Sequence, residues 1–259
     1  MASSRPFLQL LRPPNLFTVP GDPLCGALLA SGGVWSWKIA PCIAVSLAAY
    51  CAGLVTNDLA DYSEDLRDRP SRPLPSGAIS RGGATRLALL FGSAALAAAS
   101  TVNPMLLALT VLLLGEIVWY NFIAKRSPVI GPIAMGVCRG LSVLIGAAAI
   151  VPLHASAYAL QTTPGQPSTL IFTHPPSPLH AALLPAAVIT VYIAIVTALA
   201  RRETRDPLMP GRIGALIRGL LFIQAGFCAM AGGCGWAAAV VLIALWPVSR
   251  AVGAHFYAS

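Results

Sequence analysis

The stretch NDLADYSEDLRDRPSRPLPSGAISRGG, residues 57–83, holds five of the chain's nine acidic residues and four of its seventeen basic ones. Asp58, Asp61, Asp65 and Asp68 follow spacings of three, four and three, which would stack all four on one face of a helix. Like charges stacked this way repel, so the stripe weakens its own helix unless cations neutralise it. Hard divalent ions such as Mg²⁺ take carboxylate oxygens, usually together with a substrate's phosphates. The pattern points to metal-assisted diphosphate chemistry, with a solvated helix at a membrane surface as the plainer alternative.

On both sides of this island the chain is apolar. Of its 259 residues, 56% are hydrophobic and only 10% charged, with a mean hydropathy of +0.74. Apolar runs near the twenty residues needed to cross a bilayer recur at 16–32, 39–56, 84–101, 104–122, 129–151, 181–200, 213–231 and 234–252. These eight runs predict an all-α, polytopic membrane protein with about eight transmembrane helices, forming a single domain over residues 1–259. The first run contains Pro20, Asp22 and Pro23 and is expected to be broken or partly interfacial, which lipid tolerates only where the backbone is buried or lines a cavity.

Basic residues test this topology, because Lys and Arg concentrate in cytoplasmic loops. Arg5 and Arg12 precede the first run; Arg67, Arg69, Arg72 and Arg81 follow the second; Lys125 and Arg126 follow the fourth; Arg201, Arg202, Arg205 and Arg212 follow the sixth; Arg250 closes the eighth. An even number of crossings puts all of these on one side, so both termini and the charged loops are expected in the cytoplasm. The formal net charge of +8 therefore reads as membrane orientation, not nucleic-acid binding. No cleavable signal peptide is expected, because the first fifteen residues lack an uninterrupted apolar core. Cys25, Cys42, Cys51, Cys138, Cys228 and Cys234 lie in or beside apolar runs without metal-ligand spacing and read as packing residues. The proline-rich, charge-free segment 152–180 reads as a connector on the opposite side, or as a cover.

Three loops on the basic side carry the reactive side chains. Beside the aspartates, Asn57 lies one turn before Asp61 and could hold a carboxylate or ligate the ion. In Trp119–Arg126, Lys125 and Arg126 suit phosphate oxygens, while Tyr120 offers a hydroxyl and an aromatic face toward a cation; an interfacial aromatic belt would look the same. Glu203 and Asp206, three apart, could share a helix face or form a surface ion-pair cluster. Glu116 and Arg139, inside the fourth and fifth runs, fall at similar depth and are expected to pair, because an unpaired charge in a membrane is costly.

These residues resemble the UbiA superfamily of intramembrane prenyltransferases. Its NDxxDxxxD signature appears as Asn57, Asp58, Asp61 and Asp65, followed by the matching DRPSRPLPSGAIS of residues 68–80. Arg12-Pro13-Pro14-Asn15 and KRSPVIGPIAMGVCRGLSVLIG, residues 125–146, agree more loosely. The resemblance implies helices around a central cavity, with Mg²⁺ held by aspartate-rich loops to bind a prenyl diphosphate. It makes Asn57, Asp58, Asp61 and Asp65 metal ligands, joined by Glu203 and Asp206. Catalytic roles are expected of Asp58, Asp61, Lys125 and Tyr120, and substrate binding of Asn57, Arg72, Lys125, Arg126, Arg139 and Asn15. The chain departs from the family in three places. Tyr120 and Lys125 are five apart where four is usual, Glu203 and Asp206 stand where aspartates four apart are common, and eight runs appear where nine are typical.

The expected reaction is Mg²⁺-dependent transfer of a prenyl group from prenyl diphosphate to an aromatic or other lipophilic acceptor among the membrane lipids. A terpene cyclase of the same fold, and a non-catalytic lipid-binding or transport protein, stay open as alternatives.

Overall fold

In hydrocarbon every backbone N–H and C=O must be satisfied within its own segment, so long apolar runs become helices. The computed structural model describes residues 5–150, 158–161, 169–172, 178–202 and 209–255. Seven of its helices are long and apolar enough to cross a membrane. They are α4 Ile39–Ala60, α6 Arg81–Ser100, α7 Pro104–Phe122, α8 Ile130–Ile150, α9 Pro178–Arg202, α10 Met209–Met230 and α11 Gly235–His255. Three short helices, α1 Arg5–Leu11, α2 Pro13–Leu16 and α3 Gly21–Ser31, precede them, and α5 Tyr62–Asp68 follows α4. Local chemistry fixes several starts. The Ser80 side chain accepts from the Gly83 amide at 3.1 Å to cap α6, and Asn103 accepts from Leu106 at 2.8 Å to cap α7, with Pro104 in its first turn.

The run expected at 16–32 does not form a spanning helix. Its α-helical part is α3, eleven residues long, separated from α2 by residues 17–20. The broken segment still runs the length of the bundle. Arg12 pairs with Asp58 near the C-terminal end of α4, whereas the Gly33 carbonyl accepts from Cys234 just before α11, a few residues ahead of the start of α4.

A break inside an apolar bundle leaves backbone groups to be satisfied by side chains. The Thr18 carbonyl accepts from Arg139 Nη2 and from Gln224 Nε2, both at 2.8 Å. Gln224 also donates to Asp22 Oδ1 at 2.6 Å, and Arg139 Nε lies 2.7 Å from Asp22 Oδ2; all three side chains are buried. Arg139 therefore pairs with Asp22, not with the expected Glu116. Equal depth along two helices did not decide the partner; the helix break placed both a carboxylate and a needy carbonyl beside the guanidinium.

α8 is the hub of the bundle, packing on α9, α3 and α7, while α4 packs on α6 and α7, and α10 on α11. One buried apolar cluster joins α3 and α8 to α9, α10 and α11, and a second joins α4, α6, α7 and α8. Small residues let the backbones close up, as is usual between membrane helices. A Cβ at Gly146 would lie 1.9 Å from the Pro23 carbonyl oxygen, and one at Gly26 only 2.0 Å from that of Val143. Large apolar side chains such as Leu89, Leu112, Leu184 and Val240 point outward, the surface expected of a protein solvated by lipid.

Within the proline-rich segment between α8 and α9, β1 Tyr158–Gln161 and β2 Thr169–Phe172 pair antiparallel, Tyr158 opposite Phe172. The rest of 151–177 lies outside the described residues.

Candidate active site at the aspartate end of the bundle

α4 pauses at Asp61, whose φ of −89° and ψ of 1° leave helical geometry, and α5 resumes at once. Backbone bonds from Asp61 N to Asn57 O at 2.9 Å and from Asp65 N to Asp61 O at 2.8 Å carry the helical pattern across the joint. Asp58 and Asp65 are buried and Asp61 is partly buried. Asp68, the last residue of α5, is exposed, so the inward stripe contains three aspartates and not the four expected from spacing.

Each inward aspartate is held by its own cation, and each cation comes from a different segment. Arg12 Nη2 reaches Asp58 Oδ1 at 3.1 Å, Arg72 Nη1 reaches Asp65 Oδ2 at 2.7 Å, and Lys125 Nζ reaches Asp61 Oδ1 at 2.5 Å. Asn57 ties the group together, donating to Asp61 Oδ2 at 3.1 Å and accepting from Lys125 at 3.4 Å. Arg12 has a φ of 45° and ψ of 64°, the one positive φ outside glycine among the described residues. That backbone costs about 1–2 kcal/mol in an L-residue, and it marks the turn that carries the guanidinium to Asp58.

Lys125 reaches the aspartates through a break of its own. On one continuous helix, residues five apart point about 140° away from each other. α7 instead ends at Phe122, Ile123 adopts φ −124° and ψ −64°, and a 3₁₀ turn over Ala124–Arg126 re-aims the chain. The unusual Tyr120–Lys125 spacing is thereby accommodated. Tyr120 is buried near the end of α7, packed with Ala124 and Ala134. Arg126 is exposed and forms no ion pair among the described residues. Glu203 and Asp206 lie outside the described residues.

Deeper in the bundle, Tyr50 lies on α4 two turns before Asp58. Tyr50 and Arg201, whose guanidinium donates to the Ser127 carbonyl, are site neighbours that sequence reading missed. The eight-residue step from Tyr50 to Asp58, two turns along one helix face, was the available signal for the first.

Asn57, Asp58, Asp61 and Asp65 form the all-oxygen donor set that a hard divalent ion takes. Among the described residues no three His, Cys, Asp or Glu side chains converge on one point able to hold a metal, because each aspartate is drawn to a separate cation. In donor chemistry the set fits such an ion; ligation would replace those ion pairs.

Comparison with known proteins agrees with this geometry. The UbiA prenyltransferase family model matches residues 23–206. Digeranylgeranylglyceryl phosphate synthase of Methanopyrus kandleri is 35% identical over 150 residues, covering 56% of this chain and 53% of that protein. The protein of the same name from Methanoculleus marisnigri is 30% identical over 142 residues, covering 55% and 50%. The chain thus spans about half the length of these relatives. A solved UbiA homolog from Aeropyrum pernix superposes with a TM-score of 0.59 at 19% identity, over 93% of this chain and 87% of the other. A solved structure concerning digeranylgeranylglyceryl phosphate synthase gives a TM-score of 0.57 at 16% identity, over 98% and 93%. At these identities the superpositions speak for the fold.

Proposed function

From the membership of this integral membrane chain in the UbiA prenyltransferase family, we propose that it transfers a prenyl group from a prenyl diphosphate to a lipophilic acceptor. One observation carries the reading: three carboxylates and three cations from separate segments meet at one end of an apolar bundle. Each cation now bound to a carboxylate can turn to a diphosphate oxygen, and each carboxylate so released can take a metal ion.

Asn57, Asp58, Asp61 and Asp65 are the proposed holders of Mg²⁺, with Glu203 and Asp206 supplying a second set of carboxylates. When bound, the ion would neutralise charge building on the leaving diphosphate. Lys125 and Arg72 bind diphosphate oxygens and stabilise the same charge, and Arg126 guides the anion from the rim. Cleavage of the C–O bond leaves both electrons on diphosphate and an allylic cation on the prenyl chain. The acceptor supplies the electron pair of the new bond and gives up a proton. The surrounding apolar side chains exclude water, which would otherwise capture the cation as an alcohol. Asn15 and Arg139, both buried, are assigned to the acceptor side.

The site and both termini are assigned to the cytoplasmic face by the charge asymmetry of the loops, and the whole chain to one domain. The names of the relatives make a prenylated glyceryl phosphate the first acceptor to try. Membranes containing the protein are incubated with labelled prenyl diphosphates of several lengths, Mg²⁺ and a lipid extract including that acceptor. Mass spectrometry is expected to find an acceptor heavier by one prenyl unit, in step with diphosphate release. A cyclised hydrocarbon formed without acceptor would instead assign a terpene cyclase, and no diphosphate release at any chain length would overturn the reading.

A further inference from the structure

The last two helices, α10 and α11, contain no Asp or Glu, yet each carries an arginine well inside its apolar length. Arg218 stands nine residues into α10, about 14 Å from its start at a rise of about 1.5 Å per residue. Arg250 stands five residues before the end of α11. Among the described residues neither takes part in an ion pair, and Arg218 Nε is buried without a hydrogen-bond partner. A charge inside an apolar bundle is costly and normally has a partner.

Both guanidiniums overhang one seam. The two helices pack on each other in opposite directions, and side chains lean toward the N-terminus of their own helix, so Arg218 and Arg250 lean toward each other in depth. Arg218 Nη1 lies 3.4 Å from where a Gly253 Cβ would stand, with Pro14 Cβ 3.8 Å from the same point. Gly253 and Arg250 are three apart on one face of α11. The Arg250 Cζ sits 5.7 Å from the centre of the Trp246 ring, one turn back. Trp246 meets Phe222, ring centres 6.0 Å apart, and Phe222 follows Arg218 by one turn on α10. At the upper edge the Ser249 hydroxyl donates to the Pro14 carbonyl at 2.8 Å, closing the seam against α2.

Two cations on one seam repel unless an anion lies between them. Snorkelling to the headgroup region would hydrate each arginine separately, but it leaves Arg218 Nε buried and unmet. A phosphate accepts from both guanidiniums, and basic pockets between membrane helices suit lipid headgroups. Below the cations, Phe222 is 47% exposed and offers an apolar wall to an acyl chain. We propose that Arg218 and Arg250 clamp the phosphate of an anionic phospholipid on the α10–α11 seam, with its acyl chains running past Phe222. The seam lies apart from the ion pairs of the aspartates, and the proposal does not depend on prenyl transfer.

The test uses full-length protein stripped of lipid in neutral detergent, with dioleoylphosphatidylglycerol as the probe. Native mass spectrometry is expected to show one tightly held lipid. Its Kd should rise about tenfold in Arg218→Gln and in Arg250→Gln, the scale of one lost charge-assisted hydrogen bond. Thermal melts give a second readout. Without lipid, both variants should melt no lower than wild type, because each removes a like-charge repulsion; added phosphatidylglycerol should stabilise wild type more than either variant. If Arg218→Gln does not fold, Arg250→Gln, whose side chain is exposed, carries the test alone. Variants that hold phosphatidylglycerol as tightly as wild type would overturn the proposal, as would equal affinity for zwitterionic phosphatidylcholine. Equal stabilisation by inorganic phosphate would overturn the lipid assignment in favour of a free anion.

Discussion

Arg139 on α8 and Asp22 on α3 form a buried ion pair, Nε to Oδ2 at 2.7 Å, and the same guanidinium satisfies the Thr18 carbonyl at the helix break. Removing Arg139 leaves the Asp22 carboxyl buried without its cation and takes from the Thr18 carbonyl one of its two donors. Arg139→Gln is therefore expected to cost about 3–5 kcal/mol, read as a lowered melting temperature in detergent, and Asp22→Asn in that background should recover part of it. Glu116→Gln should stay within about 0.5 kcal/mol.

The contact between α3 and α8 depends on hydrogen at Gly146. Alanine there places its Cβ 1.9 Å from the Pro23 carbonyl oxygen, so Gly146→Ala is expected to lose about 1–3 kcal/mol by overpacking. Gly92 on α6 has nothing within 4 Å of its Cβ position. Gly92→Ala should be neutral or stabilising by up to about 1 kcal/mol, and thermal melts of the two variants compare them directly.

Asp65 and Asp68, one turn apart, separate the inward stripe from the surface. Asp65→Asn removes a carboxylate held by Arg72 and is expected to lower prenyl transfer at least tenfold, roughly the scale of one lost electrostatic contact at a reacting site. Asp68 is exposed, and Asp68→Asn should change the rate by less than about twofold.

Lys125 and Arg126 are adjacent in sequence but only Lys125 reaches the aspartates. Lys125→Met is expected to lower kcat/KM for prenyl diphosphate about 100-fold. Arg126→Met should lower it less than about threefold, with an effect that fades as salt rises. Steady-state kinetics at two ionic strengths measures both.

Local signals carried most of this fold into the sequence. Spans were legible from apolar length and the aspartate motif from its spacing. The break before α3 was legible too, through Pro20 and Pro23. What covers that break was not, because Arg139 and Gln224 meet Thr18 only through packing between segments more than a hundred residues apart in sequence. Charge depth alone favoured Glu116 as the partner of Arg139, since periodicity gives height along a helix and says little about which neighbour faces it. Arg201 counted in the sequence only as an interfacial charge, and its contact with the Ser127 carbonyl depends on room left by Gly131. The 3₁₀ turn that re-aims Lys125 likewise has no strong local signature.

The central claim is that the aspartates beside Lys125 and Arg12 bind metal and diphosphate for prenyl transfer. It is tested most directly by measuring diphosphate release from labelled geranylgeranyl diphosphate, with and without Mg²⁺, for wild type, Asp58→Ala and Asp61→Ala purified to equal melting temperature. Release that requires Mg²⁺ in the wild type, is removed by EDTA, and is absent from both variants is the predicted result. Undiminished release by both well-folded variants would contradict it.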